Sequence, residues 1–293
     1  MKKLLVLAAL LTAPLAAVST VSIRPLSHPF QPRATQQPGG GFSVDLPIVG
    51  RVRGATTTFA TALDITDNSA QSTDVEFFFT PADGSAPHSG LLATLSGFDN
   101  LHFDDFLQAL VSAGVMTPNQ ADNAFGSLLL TFTNPSFRAG TEATAVARIY
   151  SSATPNGTYG LAYRARPIET NGTHSLSSVV RNGNGIVTNL GIENLGVDDR
   201  GAFVTDPVTV RLTFFDPATG APAGSQPTFS LAPGQVIQLN DVFRQFALTQ
   251  TAALVFVDEI GGSSQIRGYV VLKDTSTNDG AFVFMQESKA STF

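Results

Sequence analysis

The amino-acid sequence predicts an all-β fold made of two tandem β-sandwich copies, each with a short helix between its strands. Three observations carry this expectation. First, apolar and polar residues alternate in short runs. Val208, Val210, Leu212 and Phe214 share one face while Thr209, Arg211 and Thr213 share the other, the pattern of a sheet with one buried side. Second, turn residues separate the runs, as in Pro81-Ala82-Asp83-Gly84, Pro217-Ala218-Thr219-Gly220, Ala232-Pro233-Gly234 and Asn278-Asp279-Gly280. Third, the chain repeats itself: Phe78-Phe79-x-Pro81-Ala82-x-Gly84 returns 136 residues later as Phe214-Phe215-x-Pro217-Ala218-x-Gly220.

At the N-terminus, Lys2 and Lys3 precede an apolar run at 4–11 and a small-residue stretch at 13–17, the layout of a secretory signal peptide. Residues 1–19 are assigned to it, with cleavage after Ala17 or Ser19. The apolar run is shorter than the roughly 20 residues a membrane-spanning helix needs; an uncleaved anchor helix is the alternative. The mature chain is expected to be secreted, periplasmic or at the cell surface, without a membrane span. Residues 20–41 hold Pro25, Pro29, Pro32, Pro38 and three consecutive glycines and read as a linker, because proline lacks a backbone donor and glycine resists ordering.

Strands are expected at 57–65, 73–79, 127–133 and 143–150 in a first copy (42–166). In a second copy (167–293) they are expected at 208–215, 235–239, 253–257, 266–272 and 281–286. Phe103, Leu107, Leu110 and Val111 recur at helical spacing, with Asp104 or Asp105 to cap the start and Gly114 to end it. A second short helical turn is expected within 117–125.

At the 136-residue step Leu95 meets Leu231, Leu101 meets Ile237, Phe103 meets Leu239, Asp105 meets Asp241 and Leu110 meets Phe246. Residues 61–65 resemble 188–192 at a different step, with an insertion near 196–202 making the difference. Ser127 to Phe132 resembles Ala253 to Val257, and Arg148-Ile149-Tyr150 resembles Arg267-Gly268-Tyr269. The alternative is one large sandwich with accidental similarity. Seven or eight short strands per copy match the count of an immunoglobulin-like sandwich. Together with Phe229-x-Leu231-x-Pro233-Gly234-Gln235, the pattern resembles the tandem immunoglobulin-like, adhesion-type domains of bacterial secreted and cell-surface proteins. That resemblance implies a binding or spacing role and carries over no catalytic residue.

Composition narrows the chemistry. The 293-residue chain has no cysteine, which removes disulfides, thiolate catalysis and cysteine-bound metals. Its net charge of −6 lacks a nucleic-acid footprint. The four histidines, His28, His88, His102 and His174, stand at no helical zinc spacing. Asn182-Gly183-Asn184-Gly185 reads as a hairpin or bulge rather than a dinucleotide loop. The acidic pairs Asp104-Asp105, Asp198-Asp199 and Asp258-Glu259 are adjacent on the chain. Adjacent strand residues point to opposite faces, so no pair spans a glycosidase cleft by itself. Asp274, Ser276 and Asn278 alternate like calcium ligands, but a β-turn explains them better. Phe77, Phe78 and Phe79 cannot all face one core. Phe78, and Phe215 in the second copy, are therefore candidates for a partner surface or for packing between copies.

The expected function is that of a non-catalytic exported protein without cofactors, acting in adhesion, surface structure or protein binding, with a protein, cell-surface component or glycan as partner. The alternatives are a carbohydrate-binding or enzyme-accessory module and, last, a hydrolase using Asp105 or Asp241.

Overall fold

A computed structural model describes residues 21–34, 40–54, 57–138, 140–154, 157–170, 172–277 and 279–288. The expected signal segment 1–19 lies outside the described residues, as does Asn278 of the calcium-like run. Strands dominate. The first nine are β1 (Phe42–Arg53), β2 (Thr58–Asp67), β3 (Thr73–Pro81), β4 (His88–Leu95), β5 (Asn100–Phe103), β6 (Ala124–Phe132), β7 (Ala143–Thr154), β8 (Gly157–Arg164) and β9 (Arg166–Pro167). The next nine are β10 (Ser175–Arg181), β11 (Ile186–Asn194), β12 (Val208–Phe215), β13 (Thr228–Leu231), β14 (Val236–Leu239), β15 (Ala252–Gly261), β16 (Ile266–Asp274), β17 (Gly280–Phe284) and β18 (Gln286–Glu287). Helices α1 (Phe106–Ser112) and α2 (Pro118–Ala121) lie between β5 and β6, and α3 (Val242–Gln245) lies between β14 and β15.

The two sets pair in the same order. In the first, β4-β3-β6-β1 carries β9 on its β1 edge, and β2-β7-β8 carries β5 on β2. In the second, the orders are β13-β12-β15-β10-β18 and β14-β11-β16-β17, which is the first pattern with every strand replaced by the ninth one after it. The first set is one continuous hydrogen-bonded sheet because β1 turns from one layer to the other, pairing with β6 along most of its length and with β2 over Arg51–Arg53. The β1–β6 register shifts between Leu46 and Val49. Pro47 falls inside that bulge, where its missing N–H breaks no ladder bond. Each set closes its own core. One is built on Phe42, Leu63, Phe77, Phe79, Phe106 and Phe132, the other on Leu190, Ile192, Leu212, Phe214, Phe243 and Val255.

Pairing sharpens the repeat. Phe103 faces Leu63 and Leu239 faces Leu190, so the 136-residue step and the step joining 61–65 to 188–192 both hold across these strands. Leu95 and Leu231 are both fully buried. The Phe-Phe turn match, however, is one residue out of phase. Thr73 pairs with Leu95 and Val208 pairs with Leu231, which sets Phe79, not Phe78, opposite Phe214 in the alignment. Phe79 and Phe214 are fully buried and point into their cores. The cause is that β3 runs through to Pro81 while β12 stops at Phe215, so similar turn letters begin at different points of the pleat. The Arg148/Arg267 match also fails: Arg148 pairs with Ala62, whereas Arg267 pairs with Glu193 near the far end of β11.

Helix α1 starts three residues later than the spacing suggests, because Phe103 ends β5. Asp105 is its N-cap and accepts from the Gln108 N–H at 3.0 Å; Gly114, with φ of 72°, follows its end. Asp241 caps α3 in the same way, accepting from the Arg244 N–H. Asp105→Ala should lower stability by about 1 kcal/mol in chemical denaturation, the usual cost of losing a cap; an unchanged midpoint would deny the capping role.

The expected linker is only partly free of structure. Arg24 exchanges both backbone hydrogen bonds with Leu91 on the edge of β4, Arg33 N–H reaches Ser43 Oγ, and Phe30 and Ala34 are buried. Proline keeps this segment out of a long ladder but does not prevent it from covering a sheet edge. Strands β1, β4, β5, β8, β9, β10 and β11 lie outside the expected runs; in β1, β4, β8 and β10, glycines, prolines and serines mask the alternation.

Candidate functional site

The two strand sets pack directly against each other. The long connection between β11 and β12, where the insertion was expected, supplies Leu195 and Val197 to a third apolar cluster with Phe30, Ala34, Leu129 and Ile168. Phe78 lies there, stacked on Phe30 at 5.2 Å and tilted against Phe203 at 5.7 Å. Phe215 is 4% exposed and meets Phe256 edge-on. Phe215 is covered from within the chain and Phe78 is half-buried there, because burying a ring against a second apolar layer removes more apolar area from water than leaving it at the surface.

Further along the junction, Phe282 of β17 stacks on Tyr163 of β8 at 4.2 Å and on Tyr269 of β16 at 4.8 Å. Ser127 Oγ donates to the Gly234 carbonyl at 2.7 Å. At the centre, Arg267 Nη1 contacts Asp45 Oδ2 at 2.9 Å, and its other donors reach the carbonyls of Arg166 and Pro167. Glu193 lies beside Asp45, and burial drives its carboxyl well above the ordinary glutamate range, with the Asp45 charge adding to the rise. Neither Asp45 Oδ1 nor either Glu193 oxygen meets a donor from another residue. Burial likewise raises the Asp45 carboxyl, against the opposing pull of Arg267.

Beside this junction opens a groove of about 500 Å³, within the range of small-ligand sites. One wall is apolar and comes from the first set: Ile48, Val52, Phe59, Phe125, Ile149 and Leu161. Gly50 and Gly160 let neighbouring strands of that wall approach closely, since a Cβ on Gly160 would fall 2.0 Å from the Ile149 carbonyl oxygen. The opposite wall comes from the second set, where Val271 and Phe282 accompany Asn189, Gln238, Asn240 and Lys273.

The polar wall has a definite hydrogen-bond sense. Asn189 Oδ1 accepts from the Asp241 N–H at 3.0 Å. Gln238 Oε1 accepts from the Tyr269 hydroxyl at 3.2 Å, and Asn240 Oδ1 accepts from Gln238 Nε2 at 3.0 Å. The amide oxygens are thus engaged within the protein. Among the described residues, the Asn189 and Asn240 amide nitrogens and the Lys273 ammonium have no partner, and no carboxylate lines the groove. The groove offers donors and apolar surface.

The other sequence candidates lie elsewhere. Asp105 and Asp241 cap separate helices, and Asp105 also contacts Arg51 at 3.3 Å. Asp274 Oδ1 accepts from Ser276 N–H, Ser276 Oγ and Thr277 N–H, and these bonds hold its carboxyl below the ordinary aspartate range. That oxygen is spent on its own turn, so added calcium should leave the melting temperature unchanged; a rise of several degrees would restore the calcium reading.

Two histidine clusters escaped sequence reading because their partners are distant in the chain. His102 bonds Asp64 at 2.7 Å and Asp104 at 3.1 Å; these bonds raise its pKa. His174 lies between Glu259 and Asp199. Burial pulls its pKa down, and the two carboxylates together outweigh that and raise it. In both, each ring nitrogen already faces a carboxylate. Among the described residues, no group of three or more histidines and acids is arranged to hold a metal ion. Equally, no described helix is long and apolar enough to cross a membrane.

No family model matches the chain, and no curated protein matches it. Among solved structures, a crystal structure of a lectin from Pleurotus ostreatus in complex with GalNAc is similar at 8% sequence identity and a TM-score of 0.18, over 92% of this chain and 86% of that one. A likeness at that level carries no argument about fold or ligand.

Proposed function

We propose that this chain is an exported, non-catalytic binding protein of two immunoglobulin-like sandwiches that holds its ligand in the groove between them. One observation carries the reading: an apolar wall from one strand set faces a row of unengaged donors from the other, across about 500 Å³. Concave apolar sites with a few convergent polar groups are the usual form of a ligand pocket. The coincident strand orders support the tandem arrangement, with copies at 42–166 and 167–293. The basic-then-apolar N-terminus supports export.

A thermal-shift panel of peptides, oligosaccharides and amphiphiles tests this reading against the wild type and against Val52→Trp, which fills the groove from its apolar wall. At least one class should raise the melting temperature of the wild type and leave the variant unmoved. Equal shifts in both proteins would place the site elsewhere, and turnover of any panel member would overturn the non-catalytic assignment.

A further inference from the structure

The donors left over in the groove define its ligand further. Resting on the reading of the groove as the binding site, we propose that it takes an amphiphile with a carboxylate head and a hydrocarbon tail. The argument is one of complementarity. Lys273 is the sole lysine between residues 4 and 288 of a chain carrying net charge −6. It projects from β16 beside Val271 into the groove, half-buried and without an acidic partner. A cation placed there has given up part of its hydration without gaining a counter-charge, so an incoming anion restores what the fold has withheld.

Asn189 and Asn240 line the same wall, and with their oxygens held by Gln238 and the Asp241 N–H their amide N–H₂ groups are the ends left free. An ammonium and two amide donors match the lone pairs of one carboxylate and offer nothing to a cationic or donor-only head. Opposite them, the wall is continuous aliphatic and aromatic surface. It carries no polar side chain to hydrogen-bond the ring hydroxyls of a sugar, and a hydrocarbon tail satisfies it completely.

Decanoate, decan-1-ol and decyltrimethylammonium, each below its micelle-forming concentration and near neutral pH, form the test. The full chain contains no tryptophan, so Phe125→Trp places a single fluorophore on the apolar wall. Melting temperature of the unmutated protein gives a second readout should that variant fold poorly. Decanoate is expected to shift the emission and to bind roughly tenfold more tightly than the alcohol or the cation. Lys273→Met is expected to erase that preference, bringing decanoate down to the affinity of the alcohol. Equal affinity for all three probes would overturn the carboxylate assignment yet keep the groove as a site for apolar ligands. Absence of binding by any of them, in both readouts, would overturn the acyl-chain ligand; a groove-dependent shift by another class in the Val52→Trp comparison would then leave the binding site itself standing.

Discussion

Replacing Arg267 with alanine should cost the fold about 3–5 kcal/mol, the scale of a buried ion pair broken from one side. Arg267 has a 12% exposed side chain and Asp45 is fully buried. The guanidinium joins β16 of the second strand set to β1 and β9 of the first through Asp45 and the carbonyls of Arg166 and Pro167. Without it, a carboxylate whose Oδ1 already lacks a donor loses its counter-charge in a site closed to water. Arg267→Lys should recover little, because a single ammonium cannot place donors on a carboxylate and two carbonyls in the fixed fork that guanidinium provides. Asp45→Asn combined with Arg267→Met should recover most of the loss, since the pair contributes mainly by satisfying itself. Urea denaturation at neutral pH measures all three; a loss below about 1 kcal/mol for Arg267→Ala, the scale of a surface pair, would refute this account of the junction.

The same cluster makes stability depend on pH. Burial, with the neighbouring Asp45 charge, raises the Glu193 carboxyl well above 4.5, and Arg267 only partly offsets this. Burial likewise raises Asp45 against the opposing pull of Arg267. The folded state therefore binds a proton on this pair of carboxyl groups more tightly than the unfolded chain does. Its stabilising effect is complete below the ordinary glutamate range and is lost as pH rises toward the folded value, at up to about 1.4 kcal/mol per pH unit. Tyr163 and Tyr269, close to the pair and themselves raised by burial, stay neutral throughout.

Other histidines act in separate windows. His102 and His174, both raised, also lose their contribution with rising pH, but only above about 6.5, and partial exposure screens them. His88, lowered by burial, acts oppositely and weakens the fold as pH falls below that value. Glu193→Gln keeps the shape and removes the titration, so its denaturation midpoint should be nearly flat from pH 4.5 to 6.5 while that of the wild type declines. Parallel profiles for the two proteins would show that Glu193 is ionised in the folded state.

What local chemistry writes into the chain is legible in the sequence. Alternation marked β12, β15 and β16 because one face of each strand meets a core. The Asp105 and Asp241 caps were visible because a cap acts within three residues. The steps linking Leu63 to Leu190 and Phe103 to Leu239 were visible because paired strands keep their spacing when a unit is repeated. The outward phenylalanines showed the limit of such reading. Phe78 and Phe214 match as letters, yet β3 extends past the point where β12 stops, and a shift of one residue in a pleated strand reverses which face a ring occupies.

The groove and the carboxyl–guanidinium cluster had no local signature at all. Asp45 and Arg267 are 222 residues apart, and the wall holding Ile149 meets the wall holding Lys273 only because the two strand sets dock. Periodicity along a strand records which side is buried, not what buries it. The amino-acid order therefore determined strands, turns, caps and the repetition of the unit, since each depends on neighbours in the chain. Docking alone decided that an unpartnered lysine would face an apolar wall and that two carboxyl groups would be buried beside one guanidinium, because both arise from surfaces that come together only in the folded chain.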